Sequence, residues 1–308
     1  MKIAVLGAGA MGALFGAYLS ERNSVWLIDV SASRVDLLER EGVTIIEKSG
    51  RKRVFHPHAV TSCKDLPVMD LVIVFVKAMY TLDALEANKA LIGPDTYLMT
   101  LQNGAGHEAK LLKYAKADRV IIGSTQHNSS ITDAGALSHG GSGLTSIGLL
   151  EGPSGPFIEP IAATFYDCGL ECLISDSVKA QIWKKLFTNT AASSLTGLLQ
   201  VPLGFITSSS YAKSVMHHLA HEAVTVANAM GLGFDEAKVI ADVEAVCDNA
   251  PNGYTSIYAD LRDGRRTEVD TISGAVVEAA GNLGIEVPYH QMIVNLIHAL
   301  EDKKEKSK

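Results

Sequence analysis

Cysteine is scarce in this 308-residue chain: Cys63, Cys168, Cys172 and Cys247 are its four, and no two form a Cys-x-x-Cys pair. That excludes a disulfide framework and a thiolate metal site, and thiols so scattered are expected to stay reduced, in the cytoplasm. Long apolar runs are missing too. The longest, Leu71–Val76, falls far short of the roughly 20 residues a membrane helix needs. Positive charge is in deficit, 27 Lys and Arg against 34 Asp and Glu, or −7, so the electrostatic footprint of a nucleic-acid partner is absent. The one charge run, Glu301–Lys308, reads as a solvated helix end. With 47% apolar and 20% charged residues and no internal repeat, disordered and fibrous classes are excluded. Lys2 and the apolar stretch after it superficially mimic a secretory leader, but Gly7, Gly9, Gly12 and Gly16 would weaken its helix, and none is expected.

What is present is two patterns in succession. Short apolar runs suited to buried parallel strands appear at Ile3–Leu6, Val25–Ile28, Leu71–Val76, Tyr97–Leu101 and Val120–Ile122, with helical periodicity between them. Val43–Glu47 and Arg53–His56 read as an inserted hairpin, Thr145–Leu150 and Leu170–Ile174 as further strands, and Phe157–Cys168 as a helix. From about Asp176 the pattern is helical throughout, including one long helix Val178–Leu198 and another over Glu268–Leu283 opened by a Thr267–Asp270 capping box. The expected architecture is α/β followed by all-α: a Rossmann-type doubly wound sheet over residues 1–175 and a helical domain over residues 176–308.

Gly7-Ala8-Gly9-Ala10-Met11-Gly12 matches G-x-G-x-x-G, a weak signal alone but here placed after a strand and at the start of a helix. Gly7 allows the tight turn, Gly9 lets a pyrophosphate reach the backbone, and Gly12 lets helix and strand pack closely. Asp29 ends the second strand, where an acid takes the ribose hydroxyls of NADH and repels the 2′-phosphate of NADPH; Ser31 and Arg34, just beyond it, soften that repulsion.

Dinucleotide chemistry needs a proton donor for the alkoxide that hydride transfer creates. Lys185, Asn189 and Ser193 are spaced to share one face of the long helix. Lys184 falls on another face and reads as solvated. Glu268 reads as a helix-opening acid, with the macrodipole as its plain explanation. Lys77 follows one buried strand and Gln102-Asn103-Gly104-Ala105-Gly106 follows the next, both at the edge where α/β folds bind ligands.

Taken together and in order, Gly7–Gly12, Val76-Lys77-Ala78, Leu101–Gly106, Trp183-Lys184-Lys185-Leu186 with Asn189, and Ser256 through Asp260 to Arg266–Asp270 make the chain resemble the ketopantoate reductase (2-dehydropantoate 2-reductase) family along essentially its whole length. The resemblance implies NAD(P)H-dependent reduction of a 2-oxo acid, 2-dehydropantoate first of all, to a D-2-hydroxy acid in the interdomain cleft, on the route to pantothenate. It implies Lys185 as general acid, Glu268 as the group orienting substrate and cofactor, Asn189 and Ser256 as substrate ligands, and Lys77 and Asn103 on the nicotinamide side. Ser193 stands where pantoate-forming members carry a second asparagine, and Gly253 where they carry another. Asp29 stands near the place where the NADPH-dependent members, the family default, carry a basic residue. These departures resemble an NADH-dependent D-2-hydroxyacid dehydrogenase branch that reduces branched or aromatic 2-oxo acids.

Two readings outside that class are weaker. A non-catalytic dinucleotide sensor has no need of Lys185, Asn189 and Glu268 together, and hydroxyacyl-CoA-type or amino-acid-forming dehydrogenases need a His–Glu pair or an ammonia site. His217, His218 and His221 read as a packing or surface cluster rather than a metal site, and His139–Gly143 as a polar turn. A homodimer is compatible with the sequence but not required by it.

Overall fold

The computed structural model describes residues 1–152 and 155–305. They form two compact units, one of residues 1–102 with 107–181, the other of residues 103–106 with the chain from 182 onward. The division falls later than the boundary at 175/176 read from composition, and the loop 103–106 goes with the helical unit.

The first unit carries strands β1 (Lys2–Leu6), β2 (Ser24–Ile28), β3 (Val43–Glu47), β4 (Lys52–Phe55), β5 (His58–Val60), β6 (Leu71–Val74), β7 (Tyr97–Thr100), β8 (Val120–Thr125), β9 (Asn128–Ile131), β10 (Leu137–Gly141), β11 (Thr145–Leu149) and β12 (Cys172–Ile174). Eight of them form one sheet in the order β12-β11-β8-β7-β6-β1-β2-β5. From β5 to β8 all neighbours run parallel; β11 is antiparallel to β8, and β12 parallel to β11. The sheet is therefore mixed rather than wholly parallel. β1 lies between β2 and β6, so the chain winds outward from it in both directions, which opens a crevice beyond the carboxyl ends of these strands.

The expected hairpin is present, with Val43 opposite Phe55. It is completed into a second sheet, β4-β3-β10-β9. The reading of His139–Gly143 as a turn is corrected here: His139 sits in β10 opposite Ser129, before a bulge at Gly141, and is buried. Its Nδ1 lies 3.2 Å from the Tyr18 hydroxyl and its Nε2 3.0 Å from His127 Nδ1. Helices α1 (Ala10–Leu19), α2 (Ala32–Glu41), α3 (Thr81–Ala87), α4 (Glu108–Leu111) and α5 (Gly155–Asp167) complete the unit. Phe15 of α1 is fully buried, its ring 5.1 Å from that of Phe75 and 5.9 Å from that of Phe165.

The later part of the chain carries helices α6 (Val178–Thr188), α7 (Ser194–Leu199), α8 (Leu203–Ser208), α9 (Ser210–Ala229), α10 (Glu236–Asn249), α11 (Ser256–Arg262), α12 (Ser273–Leu283) and α13 (Pro288–Glu305). Two expectations change. The helix expected over Val178–Leu198 is interrupted by a π-turn, Asn189–Ser193, between α6 and α7. A wide turn inserts a residue into the ladder and rotates the downstream residues by about 100°, so a spacing of four and eight residues from Lys185 does not define one face across it. The helix expected from Glu268 begins instead at Ser273. Thr267 accepts from Val269 N–H in a local turn and donates to Glu301, so it caps nothing. His217 pairs with Glu244 and His221 with Glu236, two separate contacts from α9 to α10.

Phe15 is the apolar plug between α1 and the sheet. Phe15→Ala is expected to cost about 3–5 kcal/mol, read as a lowered urea midpoint; a loss under about 1 kcal/mol would mean that the neighbouring rings close the gap.

Candidate active site

The glycine-rich turn of the first unit is shaped by close approach. Gly7 has φ +98°, and a Cβ there would stand 2.9 Å from Val76 N. A Cβ on Gly12 would collide with the carbonyl oxygen of Gly7, so α1 crosses the end of β1 at a distance only glycine permits. Gly9 differs: nothing lies within 4 Å of where its Cβ would be. It is the N-cap of α1, gives no side-chain cap, and the first turn carries no acid. Ala8 and Gly12 are buried, and Ala10 and Met11 are half-buried, Met11 packing on the core. The turn thus leaves the α1 N–H groups and the positive end of the helix dipole facing open space at Gly9, as a pyrophosphate requires.

That space is a cavity of about 640 Å³ whose lining includes Gly7, Gly9, Asp29, Ser62, Val76 and Lys77, a size suited to a cofactor segment. It lies at the carboxyl ends of β1, β2, β5 and β6. Asp29 does more than the sequence indicated. Its Oδ2 accepts from Ala8 N–H at 2.8 Å and its Oδ1 from Ser31 N–H at 2.9 Å, so the carboxylate also braces the glycine turn. Arg34 Nε donates to Ala8 O at 3.2 Å, and its Nη2 is buried without an acceptor among the described residues. Burial holds this guanidinium below its ordinary pKa, against the pull of Asp29. Thr61 and Ser62 also line the cavity; sequence reading missed them because β5 is three residues long and carries no periodic signal.

Within the helical unit, Lys185 in the last turn of α6 donates from Nζ to Asn103 Oδ1 at 2.9 Å. Asn103 belongs to a loop docked on the turn that bears Glu268. Ala105 N–H donates to Thr271 O at 2.9 Å and Thr271 Oγ1 to Asn103 O at 3.4 Å. A Cβ on Gly104, at φ +95°, would collide with Thr271 O. Gly104 therefore serves this docking, a role its place after a strand did not suggest. Burial pushes the Lys185 ammonium down to about 8, and the Glu268 carboxylate opposes the shift.

Lys185, Asn103 and Glu268 are thus assembled by one packing arrangement. Asn189 is half-buried at the start of the π-turn and Ser193 is buried at its end. Thr255, the N-cap of α11, reaches the Ser193 carbonyl at 3.4 Å and Thr196 Oγ1 at 2.8 Å, which brings the exposed Ser256 beside the π-turn. Lys184 is exposed. A Cβ on Gly253 would stand 2.9 Å from Ala250 O, too close for an asparagine without local movement. No group of three or more His, Cys, Asp or Glu able to hold a metal occurs among the described residues, and none of their helices is long and apolar enough to cross a membrane.

Residues 3–152 match the family described as ketopantoate reductase PanE/ApbA, and residues 177–301 match ketopantoate reductase PanE/ApbA C terminal. The chain belongs to the ketopantoate reductase family. It is 30% identical to the 2-dehydropantoate 2-reductase of Halobacterium salinarum over 96% of this chain and 98% of that one. Among solved structures, a D-mandelate dehydrogenase in a ternary complex with NADH and anilino(oxo)acetate is 29% identical, with a TM-score of 0.92 and 99% of both chains covered. A 2-dehydropantoate 2-reductase from Geobacter metallireducens is 26% identical, with a TM-score of 0.90 over 97% of this chain and 99% of that one.

The two glycines of the family motif separate by cause. Gly12→Ala is expected to destabilise the fold by about 1–3 kcal/mol or more through overpacking, whereas Gly9→Ala is expected to change thermal stability by under about 0.5 kcal/mol. Equal losses in calorimetry would overturn that distinction.

Proposed function

We propose that the protein reduces a 2-oxo acid, in the first place 2-dehydropantoate, to a D-2-hydroxy acid with NADH, in the cytoplasm and on the route to pantothenate. The observation that carries the reading is the Lys185–Asn103 hydrogen bond beside Glu268, with the lysine held near neutrality. Residues 1–175 would serve the dinucleotide and residues 176–308 the substrate and catalysis. Gly7, Ala8, Gly9, Ala10, Met11 and Gly12 would hold the pyrophosphate, Asp29 the ribose, and Lys77 with Asn103 the nicotinamide end. A bound reduced nicotinamide supplies the hydride for the carbonyl carbon.

The chain's own residues then handle charge and protons. The Lys185 ammonium donates from Nζ to the carbonyl oxygen as it becomes an alkoxide, and offsets the substrate carboxylate. Asn103 Oδ1 aims that ammonium. Glu268 favours its charged form and accepts from substrate and cofactor. Asn189, Ser193 and Ser256 supply polar contacts to the 2-oxo acid.

A second reading, an NADH-dependent D-2-hydroxyacid dehydrogenase acting on branched or aromatic 2-oxo acids, has two supports of its own. An asparagine at Gly253, which the resemblance gives the pantoate-forming members, would need local movement away from Ala250 O, and the D-mandelate dehydrogenase likeness spans both units. Initial rates with NADH and NADPH on 2-dehydropantoate, 2-oxoisovalerate, 2-oxoisocaproate and phenylglyoxylate separate the two. Fast 2-dehydropantoate turnover supports the first, and slow turnover of it beside fast turnover of the others supports the second.

Lys185→Ala is expected to lower kcat by about 10²–10⁴, and an unchanged kcat in folded protein rejects the assignment. The donor must be protonated, so kcat/KM for reduction is high below the lysine's pKa and falls as pH rises through about 8. A profile flat to pH 10 would count against it.

Asp29→Ser is expected to raise the NADPH/NADH ratio of kcat/KM at least ten-fold. It also removes the brace on Ala8, so binding of both cofactors should weaken. A wild type that already prefers NADPH overturns the preference.

A further inference from the structure

We propose that Glu301 of α13 is a positioning residue that holds the Glu268 turn and so sets where Glu268 stands against Lys185, an inference that rests on the roles given to those two residues above. As part of the terminal charge run, Glu301 reads from sequence as solvated. In the structure it is only 8% exposed, and both oxygens are engaged. Oε1 accepts from Thr267 N–H at 2.7 Å and from Thr267 Oγ1 at 2.8 Å. Oε2 lies 2.9 Å from His298 Nδ1, one helical turn back, and His298 Nε2 lies 2.9 Å from Asp270 Oδ1. One turn of α13 therefore grips the residue before Glu268 and the residue two beyond it.

The remaining freedom of the turn is taken up locally. Thr271 and Ile272 N–H both donate to Glu268 O, and Gly274 N–H to Val269 O. Val269 is fully buried. The same turn, through Thr271, docks Asn103–Ala105, which carries the acceptor for Lys185. Residues 267 to 272 form no regular helix that would hold Glu268 by itself. The hold comes from α13 and from the Asn103 loop. Burial pulls His298 down, but Glu301 and Asp270 outweigh it and lift its pKa above the ordinary value, which favours the charged imidazolium between the two carboxylates.

The test is the titration of Lys185 in full-length protein carrying ¹³Cε-labelled lysine, its resonance assigned by absence in Lys185→Arg. With Glu301→Ala the midpoint is expected to fall from about 8 by half a pH unit or more, because Glu268 loses its place beside the ammonium. The kcat/KM for a 2-oxo acid should fall at least ten-fold. Glu301→Gln still offers one oxygen to both Thr267 donors and is expected to keep the wild-type midpoint. A folded Glu301→Ala protein with an unmoved midpoint overturns the proposal. So does a Glu301→Gln midpoint that falls as far as that of Glu301→Ala, since charge alone would then explain the shift. Should Glu301→Ala not fold, His298→Ala removes the link to Asp270 and the contact with Glu301 Oε2 while leaving the Glu301–Thr267 bonds in place; a lowered midpoint supports the proposal and an unmoved one overturns it. The titration needs no substrate, so a wild type inactive on every 2-oxo acid would reject the proposed function without deciding this point.

Discussion

A lysine ammonium taken largely out of water is costly, and the surroundings of Lys185 favour its charged form. Desolvation favours the neutral amine. Against that stand the hydrogen bond to Asn103 Oδ1 and the field of Glu268. Neither partner is near Lys185 in sequence, so each must be brought in by packing: Asn103 by a loop that follows a strand of the first unit, Glu268 by a turn between α11 and α12. The glycine at 104 is the steric condition for docking that loop on that turn.

The first unit depends on a different constraint, the close crossing of β1 and α1. Because Gly7 and Gly12 have no Cβ, the helix starts near the strand end with its N–H groups uncapped. The positive end of a helix then faces a cavity bordered by Asp29. The carboxylate of Asp29 stabilises the same turn through Ala8 and Ser31. One residue thus carries both the shape of the phosphate cradle and a charge that disfavours a further phosphate nearby. Arg34 sits beside it, its Nη2 buried without an acceptor among the described residues.

Family membership and the site geometry bear on different questions. The matches cover both units and define the class of chemistry; D-mandelate dehydrogenase and 2-dehydropantoate 2-reductases share this fold and differ in the acid they reduce. The residues to which the substrate contacts are assigned stand on a π-turn that carries Asn189 and Ser193, with Gly253, near Ser256 in sequence, packed against Ala250 O. A wide turn placed there alters the aim of the residues it contains without changing their identity.

Periodicity and local chemistry, which need only neighbours in sequence, were enough for much of the molecule: the parallel strands, the β3–β4 hairpin, the glycine turn and the helical character of the second half; Lys185, Asn103 and Glu268 were singled out with the help of the family resemblance. Short elements without a repeat were illegible. β5 forms on the edge that β2 offers and β10 between β3 and β9, and His139 is buried because α1 and His127 cover it. The turn at 267–272 looked like a helix start because Thr267 and Asp270 have capping spacing; Glu301 and His298 took those side chains instead. Glu301 itself sat in a charge run that reads as solvent-exposed. Which carboxylate is buried, where a helix widens, and which carbonyl crowds a glycine depend on contacts between segments far apart in the chain, and those contacts exist only once the chain has folded.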